Sequence, residues 1–162
     1  MSPDAFEQPT LNAARIALRS HQLPTWCDPS RLAFVLHLDE ASPSNNTLKG
    51  MHRFEYKKLR EGFAVKVRGA LAGRQPLQLA WSALYVVRRS AGHLDWDNAL
   101  GGLKPILDCL VAPSARNPSG LHIIQDDNPD AMPHPPYMRQ LPAKRGQGST
   151  QVYIFAVDKP AS

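Results

Sequence analysis

Residues 93–111 read HLDWDNALGGLKPILDCLV, and the rest of the chain is organised around this stretch. Asp95 and Asp97 stand two residues apart at the end of an apolar run, with Asn98 next, then Lys104, then a helical pattern carrying Asp108. Side chains alternate along a strand, so two carboxylates at that spacing on an extended backbone point to one face and can share a hard cation. A second acidic pair, Asp126 and Asp127, follows the apolar run at 121–124, and at a strand end only one of two neighbours can face the same site. The sum is three carboxylates and a lysine, the composition of a Mg²⁺ site acting on phosphate. A D-x-D with a nearby D-D also occurs on plain solvated loops, and spacing alone leaves both readings open.

Working outward, residues 32–38 (LAFVLHL) form an apolar run closed by Asp39, Glu40, Ser42 and Pro43, which predicts a strand. Residues 42–46 are turn-forming; the Asn46 side chain either caps the local backbone or reaches a phosphate. Residues 52–71 predict a helix, with Tyr56, Leu59, Phe63, Val67, Ala70 and Leu71 at helical spacing. Arg53, Lys57, Lys58, Arg60, Lys66 and Arg68 fall on its outer face. That basic stripe either tracks a phosphate backbone or is an ordinary solvated surface diluted by Glu55 and Glu61.

Residues 77–89 predict a long strand, with Leu79, Trp81, Ala83, Tyr85 and Val87 on one face, so the acidic motif sits just beyond a sheet strand. Gly101 and Gly102 weaken the first turn of the next helix, and Pro105 suits the first helical position. Lys104 then lies at or just before a helix N-terminus, where backbone N–H groups favour phosphate. Residues 121–125 predict a short strand ending at the second acidic pair. Residues 133–150, rich in Pro and Gly, predict a mobile basic loop carrying Arg139, Lys144 and Arg145, either a DNA clamp or a plain surface loop. Residues 151–158 (QVYIFAVD) predict a strand buried on both faces. The order gives an α+β domain: a small mixed β-sheet with helices packed against it.

At 162 residues with 43% apolar content, the chain is expected to fold as one domain, residues 31–162, preceded by a proline-punctuated N-terminal arm at 1–30. That arm, with a short helix at 11–19, is expected to lie outside the core. The net charge of +5 favours a polyanionic partner. Cys27 and Cys109 lie in no Cys/His metal spacing and predict no disulfide. No apolar run reaches membrane-spanning length and no signal-peptide pattern opens the chain, so no membrane association and a reducing, cytoplasmic setting are expected.

Ser42, Pro43, Ser44, Asn45 and Asn46, then Asp95, Trp96, Asp97 and Asn98, then Lys104, Pro105 and Asp108, then Asp126, Asp127, Asn128 and Pro129 follow one another in a recognisable order. In that order and context the chain resembles the RusA-like Holliday-junction resolvases, small bacterial and phage-borne endonucleases. The resemblance covers roughly residues 32–158. It implies a homodimeric, Mg²⁺-dependent enzyme, with Mn²⁺ as an alternative, that cuts four-way branched DNA and uses no small-molecule cofactor. By the same resemblance Asp95, Asp97 and Asp127 are the metal carboxylates, with Asp126 as understudy to Asp127, and Lys104 is the catalytic cation. Asn98 supports the site or caps the following turn. Asp108 matches a recurring family position, or pairs with Lys104 one helical turn away. Asn46, Lys57, Lys58, Arg139, Lys144 and Arg145 are the DNA-contact candidates. Two other functions stay open: cutting of other branched DNA such as flaps, and structure-selective DNA binding without catalysis.

Overall fold

The computed structural model describes residues 10–162. Four strands form one sheet in the order β1-β4-β2-β3, where β1 is Leu32–Leu38, β2 Ser82–Ser90, β3 Tyr137–Pro142 and β4 Ser149–Ala156. β4 runs antiparallel to both β1 and β2, and β3 runs parallel to β2, so the sheet is mixed. Helices pack on it, and the class is α+β as the sequence predicts. No helix among the described residues is long and apolar enough to cross a membrane.

Two layers of core follow from strand alternation. On one face Phe34, Leu36, Leu38, Leu84, Val86, Met138, Val152 and Ile154 pack against α3 (Arg53–Leu71) and α5 (Lys104–Leu110). On the other, Val35, Tyr85, Val87, Tyr153 and Phe155 meet Ala14 and Leu18 of α1 (Leu11–Leu18). α3 starts as a helix should. The His52 ring accepts from the Phe54 N–H and Glu55 reaches back to the His52 N–H, a reciprocal cap on the first turn.

Four expectations change. The described part of the N-terminal arm belongs to the core, because Leu18 and Cys27 are buried; the arm's first nine residues lie outside the described residues. The strand predicted from residue 77 begins only at Ser82, since Gln78 takes a left-handed conformation (φ 51°) that breaks the pleat. Residues 121–125 do not form a ladder strand and make one parallel bridge, Leu79 with Ile124. Residues 133–150 are not one mobile loop: they contain β3, of which Met138 alone is fully buried while Leu141 packs partly buried on the other face. An edge strand with one buried residue shows no alternation for a sequence reading to find, and Pro142 is tolerated at its end.

Candidate functional site

Two short helices, α2 (Asn45–Lys49) and α4 (Trp96–Gly101), are pressed together beside the end of β2. Ser44 caps α2 by accepting from the Thr47 N–H at 3.0 Å. Their close approach explains the glycine pair: a Cβ on Gly102 would run into the Pro43 carbonyl oxygen, and one on Gly101 would lie 2.6 Å from the Asn45 side chain. Buried Arg88 ties the adjoining loops together, donating from Nε to the Ser42 carbonyl at 3.0 Å and from Nη1 to the Gly92 carbonyl at 3.2 Å. The burial of Arg88 has no signal in the sequence, where Arg88 and Arg89 read as the polar end of the strand.

Asp95 is the N-cap of α4, and this corrects the expectation of an extended D-x-D. Its Oδ1 accepts from the Asn98 N–H at 2.9 Å and its Oδ2 from Asn98 Nδ2 at 3.1 Å. Asn98 Oδ1 then accepts from the Asn46 N–H at 3.0 Å, which joins the Pro-Ser-x-Asn stretch to the acidic motif. Asp97 occupies the first turn of α4 and is exposed. Asp95 is therefore engaged by the first turn of α4 while Asp97 lies within that turn, and the two are not alternating neighbours on a strand. A cap satisfies orphan N–H groups that an extended backbone at this point would leave to solvent, and it won over alternation.

Lys104 opens α5, as the Pro105 argument predicts. Its ammonium lies 2.8 Å from Asp127 Oδ2 and 3.0 Å from Asp108 Oδ1, closing a loop across 23 residues of sequence. Of the two alternatives for Asp108, the pairing with Lys104 is the one observed, and Lys104 also reaches Asp127. Asp108 is only 8% exposed and is held from behind by α3. The Tyr56 hydroxyl donates to its Oδ2 at 2.9 Å and Arg60 Nη1 stands 3.8 Å away. Tyr56 and Arg60 were not among the expected site residues, and Arg60 does not lie on the outer face. Burial works against ionising Asp127, yet the Lys104 hydrogen bond and charge outweigh it and hold the carboxyl below its ordinary range. Burial likewise opposes the charge on Lys104, and its two carboxylate partners still raise it above the usual lysine value. Tyr56 is pushed up by burial and then by Asp108.

Asp126 serves its own turn, accepting from the Asp127 N–H at 2.8 Å and Asn128 Nδ2 at 2.9 Å. The DNA-contact candidates are spread over several surfaces. Lys57 and Lys58 lie on α3, Lys57 sharing Glu61 at 3.8 Å, while exposed Arg139 is on β3 and Lys144 and Arg145 are on the β3–β4 turn. Lys66 is occupied by Asp39 and Glu40 at 3.1 and 2.8 Å.

The donor chemistry of Asp95, Asp97 and Asp127 suits a hard cation, all oxygens and all anionic. Their arrangement does not: among the described residues no three His, Cys, Asp or Glu converge to hold a metal ion. Asp127 is engaged by Lys104 instead. Neither a protein-family model nor a curated protein matches the chain.

Proposed function

We propose that the protein is an endonuclease of the RusA-like kind that cuts four-way DNA junctions, acting in the cytoplasm as a homodimer. The observation that carries the reading is the Lys104–Asp127 contact at 2.8 Å, which joins the two motifs that the resemblance places in one catalytic site. The Asn46–Asn98–Asp95 chain supports it further, because it joins the other two motifs that the resemblance names to each other. In this reading the Lys104 ammonium, at the head of α5, receives a phosphate oxygen and stabilises charge developing on it. Asp108 keeps that ammonium in place and Asp95 fixes the turn that presents Asp97. A divalent cation, Mg²⁺ or Mn²⁺, belongs to the reading through the carboxylates of Asp95, Asp97 and Asp127 alone. Two copies related by a two-fold axis would address opposing strands of a junction.

The lack of a converged carboxylate trio among the described residues favours a second reading, a structure-selective DNA-binding protein without catalysis. The test is cleavage of a synthetic four-way junction with Mg²⁺ or Mn²⁺, beside matched linear duplex and flap substrates, by wild type and Asp97→Asn. Paired nicks on the junction, lost in Asp97→Asn and with chelator, are expected. Tight binding with no cleavage in either metal would overturn the enzyme and leave the binding protein. Preference for flaps would keep the chemistry and change the substrate.

A further inference from the structure

The sheet face turned away from α3 and α5 carries a ladder of tyrosines. Tyr153 on β4, Tyr85 on β2 and Tyr137 on β3 are register partners across neighbouring strands. Their rings stack in series, with centroids 5.6 Å apart for Tyr85 and Tyr153 and 5.9 Å apart for Tyr85 and Tyr137. The first two rings are buried, whereas Tyr137 is 42% exposed on the edge strand, with no strand beyond it. An exposed ring at the end of a rigid stack offers one aromatic side to a ligand.

Beside the ladder the face is cationic. Arg139 is two residues along β3 from Tyr137, and Arg89 is four residues along β2 from Tyr85, on the same side of the sheet by alternation. Arg89 donates from Nη1 to Gln151 Oε1, a neutral group, at 2.9 Å. Among the described residues neither arginine has a carboxylate within salt-bridge distance, in contrast to Lys57, Lys66 and Lys104. The strand positions around them, His37, Ser149, Gln151 and Leu141, include no acid, and Asp39 beyond His37 is paired with Lys66. His21, which shares the Tyr85 hydroxyl at 2.9 Å, is held below the usual histidine value by burial and then by Arg139 and Arg89. A polyanion is the partner that such a patch complements. Four-stranded sheets that stack bases on surface aromatics while arginines take the phosphates are a recurrent way to hold single strands.

We propose that the β3 end of this face, beyond the part that α1 covers, is a single-stranded nucleic-acid contact, in which Tyr137 stacks an unpaired base and Arg139 and Arg89 take the neighbouring phosphates. The inference rests on the branched-DNA reading for its biological partner, since branch points expose unpaired bases, but it does not depend on catalysis. It also gives Arg139 a role separate from Lys144 and Arg145 on the adjoining turn.

The experiment measures binding of a labelled oligo-dT 12-mer and of a labelled four-way junction by fluorescence anisotropy, with full-length protein and chelator, over a salt series. Tyr137→Ala should weaken oligo-dT binding by roughly tenfold or more, and Tyr137→Phe should restore most of it, because the ring and not the hydroxyl stacks. Arg89→Gln with Arg139→Gln should weaken binding and flatten its salt dependence by about 1.4 in the log–log slope. Oligo-dT affinity unchanged in Tyr137→Ala overturns the proposal, as does absence of oligo-dT binding by wild type. A change from dimer to monomer in Tyr137→Ala, with DNA affinity intact, would also overturn it by making the face a contact between copies. The cleavage assay is read separately: junction cutting with indifferent oligo-dT affinities sinks the platform and keeps the nuclease, while affected affinities without cutting do the reverse.

Discussion

Asp108→Asn is the perturbation that most directly probes how the lysine is held. The carboxylate receives Tyr56 at 2.9 Å, Lys104 at 3.0 Å and Arg60 at 3.8 Å, and it is 8% exposed. Asparagine preserves the volume and one acceptor oxygen while removing the charge. The Lys104 side chain is 53% exposed, so solvent screening reduces its share to about 0–1 kcal/mol. Weakening of the Tyr56 bond from a charged to a neutral acceptor removes about 1 kcal/mol. Arg60, with 13% of its side chain exposed and Nε already without a partner, is left without its nearest counter-charge, at about 1–2 kcal/mol, below the full cost of breaking a well-made buried pair because its contact is long. The sum is about 3 kcal/mol, or roughly 6–12 °C in Tm for a domain of this size.

Urea denaturation of wild type, Asp108→Asn, Tyr56→Phe and the double variant reads the effect and its origin. If Tyr56 acts through Asp108, the double variant should be less destabilised than the two single losses added, by at least about 0.5 kcal/mol. Asp108→Asn within about 0.5 kcal/mol of wild type at unchanged m would refute the reasoning, and so would strict additivity with Tyr56→Phe.

The remaining predictions concern the ion pair and the glycines. Asp127 is depressed and Lys104 raised, so their pairing contributes above the unfolded carboxylate value of about 3.9 and below the unfolded lysine value of about 10.4. It is lost as pH falls through Asp127's depressed value or rises through Lys104's raised one. The stability gap between wild type and Lys104→Met, measured by urea midpoints, should hold from pH 7 to 5 and narrow towards pH 3; a gap that widens on acidification would contradict this. Gly102→Ala should destabilise by about 1–3 kcal/mol and speed hydrogen exchange at the Asn46 amide, because its Cβ meets the Pro43 carbonyl. Gly62→Ala, in the open on α3, should stabilise by about 0.5–1 kcal/mol in the same assay, which separates steric conflict from glycine loss in general.

What could be read from the sequence divides along physical lines. β1, α3 and β4 were legible because long apolar runs and helical periodicity leave few alternatives at those places. β3 was not, since an edge strand that buries only Met138 needs no pattern, and its pairing with β2 depends on a partner 52 positions away, as Tyr85 with Tyr137 shows. The arm was misjudged for a related reason: proline punctuation describes local stiffness and says nothing about whether Leu18 and Cys27 will find a sheet face to cover.

Within the site the division runs between local and distant signals that compete for the same residues. Asp95 followed three positions later by Asn98 is a helix-start signal as well as half of a D-x-D, and the cap prevailed because it satisfies backbone N–H groups at once. A carboxylate committed to a cap has its lone pairs partly used, which is one reason that spacing on a strand overstated the acidic convergence. Lys104 with Asp108 is likewise readable at one helical turn. Lys104 with Asp127 is not; no periodicity spans those 23 residues, and only the resemblance chose Asp127 over Asp126. Arg60 was placed outside by charge alone, although the buried Asp108 gives that charge a reason to turn inward. A buried carboxylate on one helix therefore asks which cation faces it from the next, and between α5 and α3 the answer is Arg60, with the Tyr56 hydroxyl donating beside it.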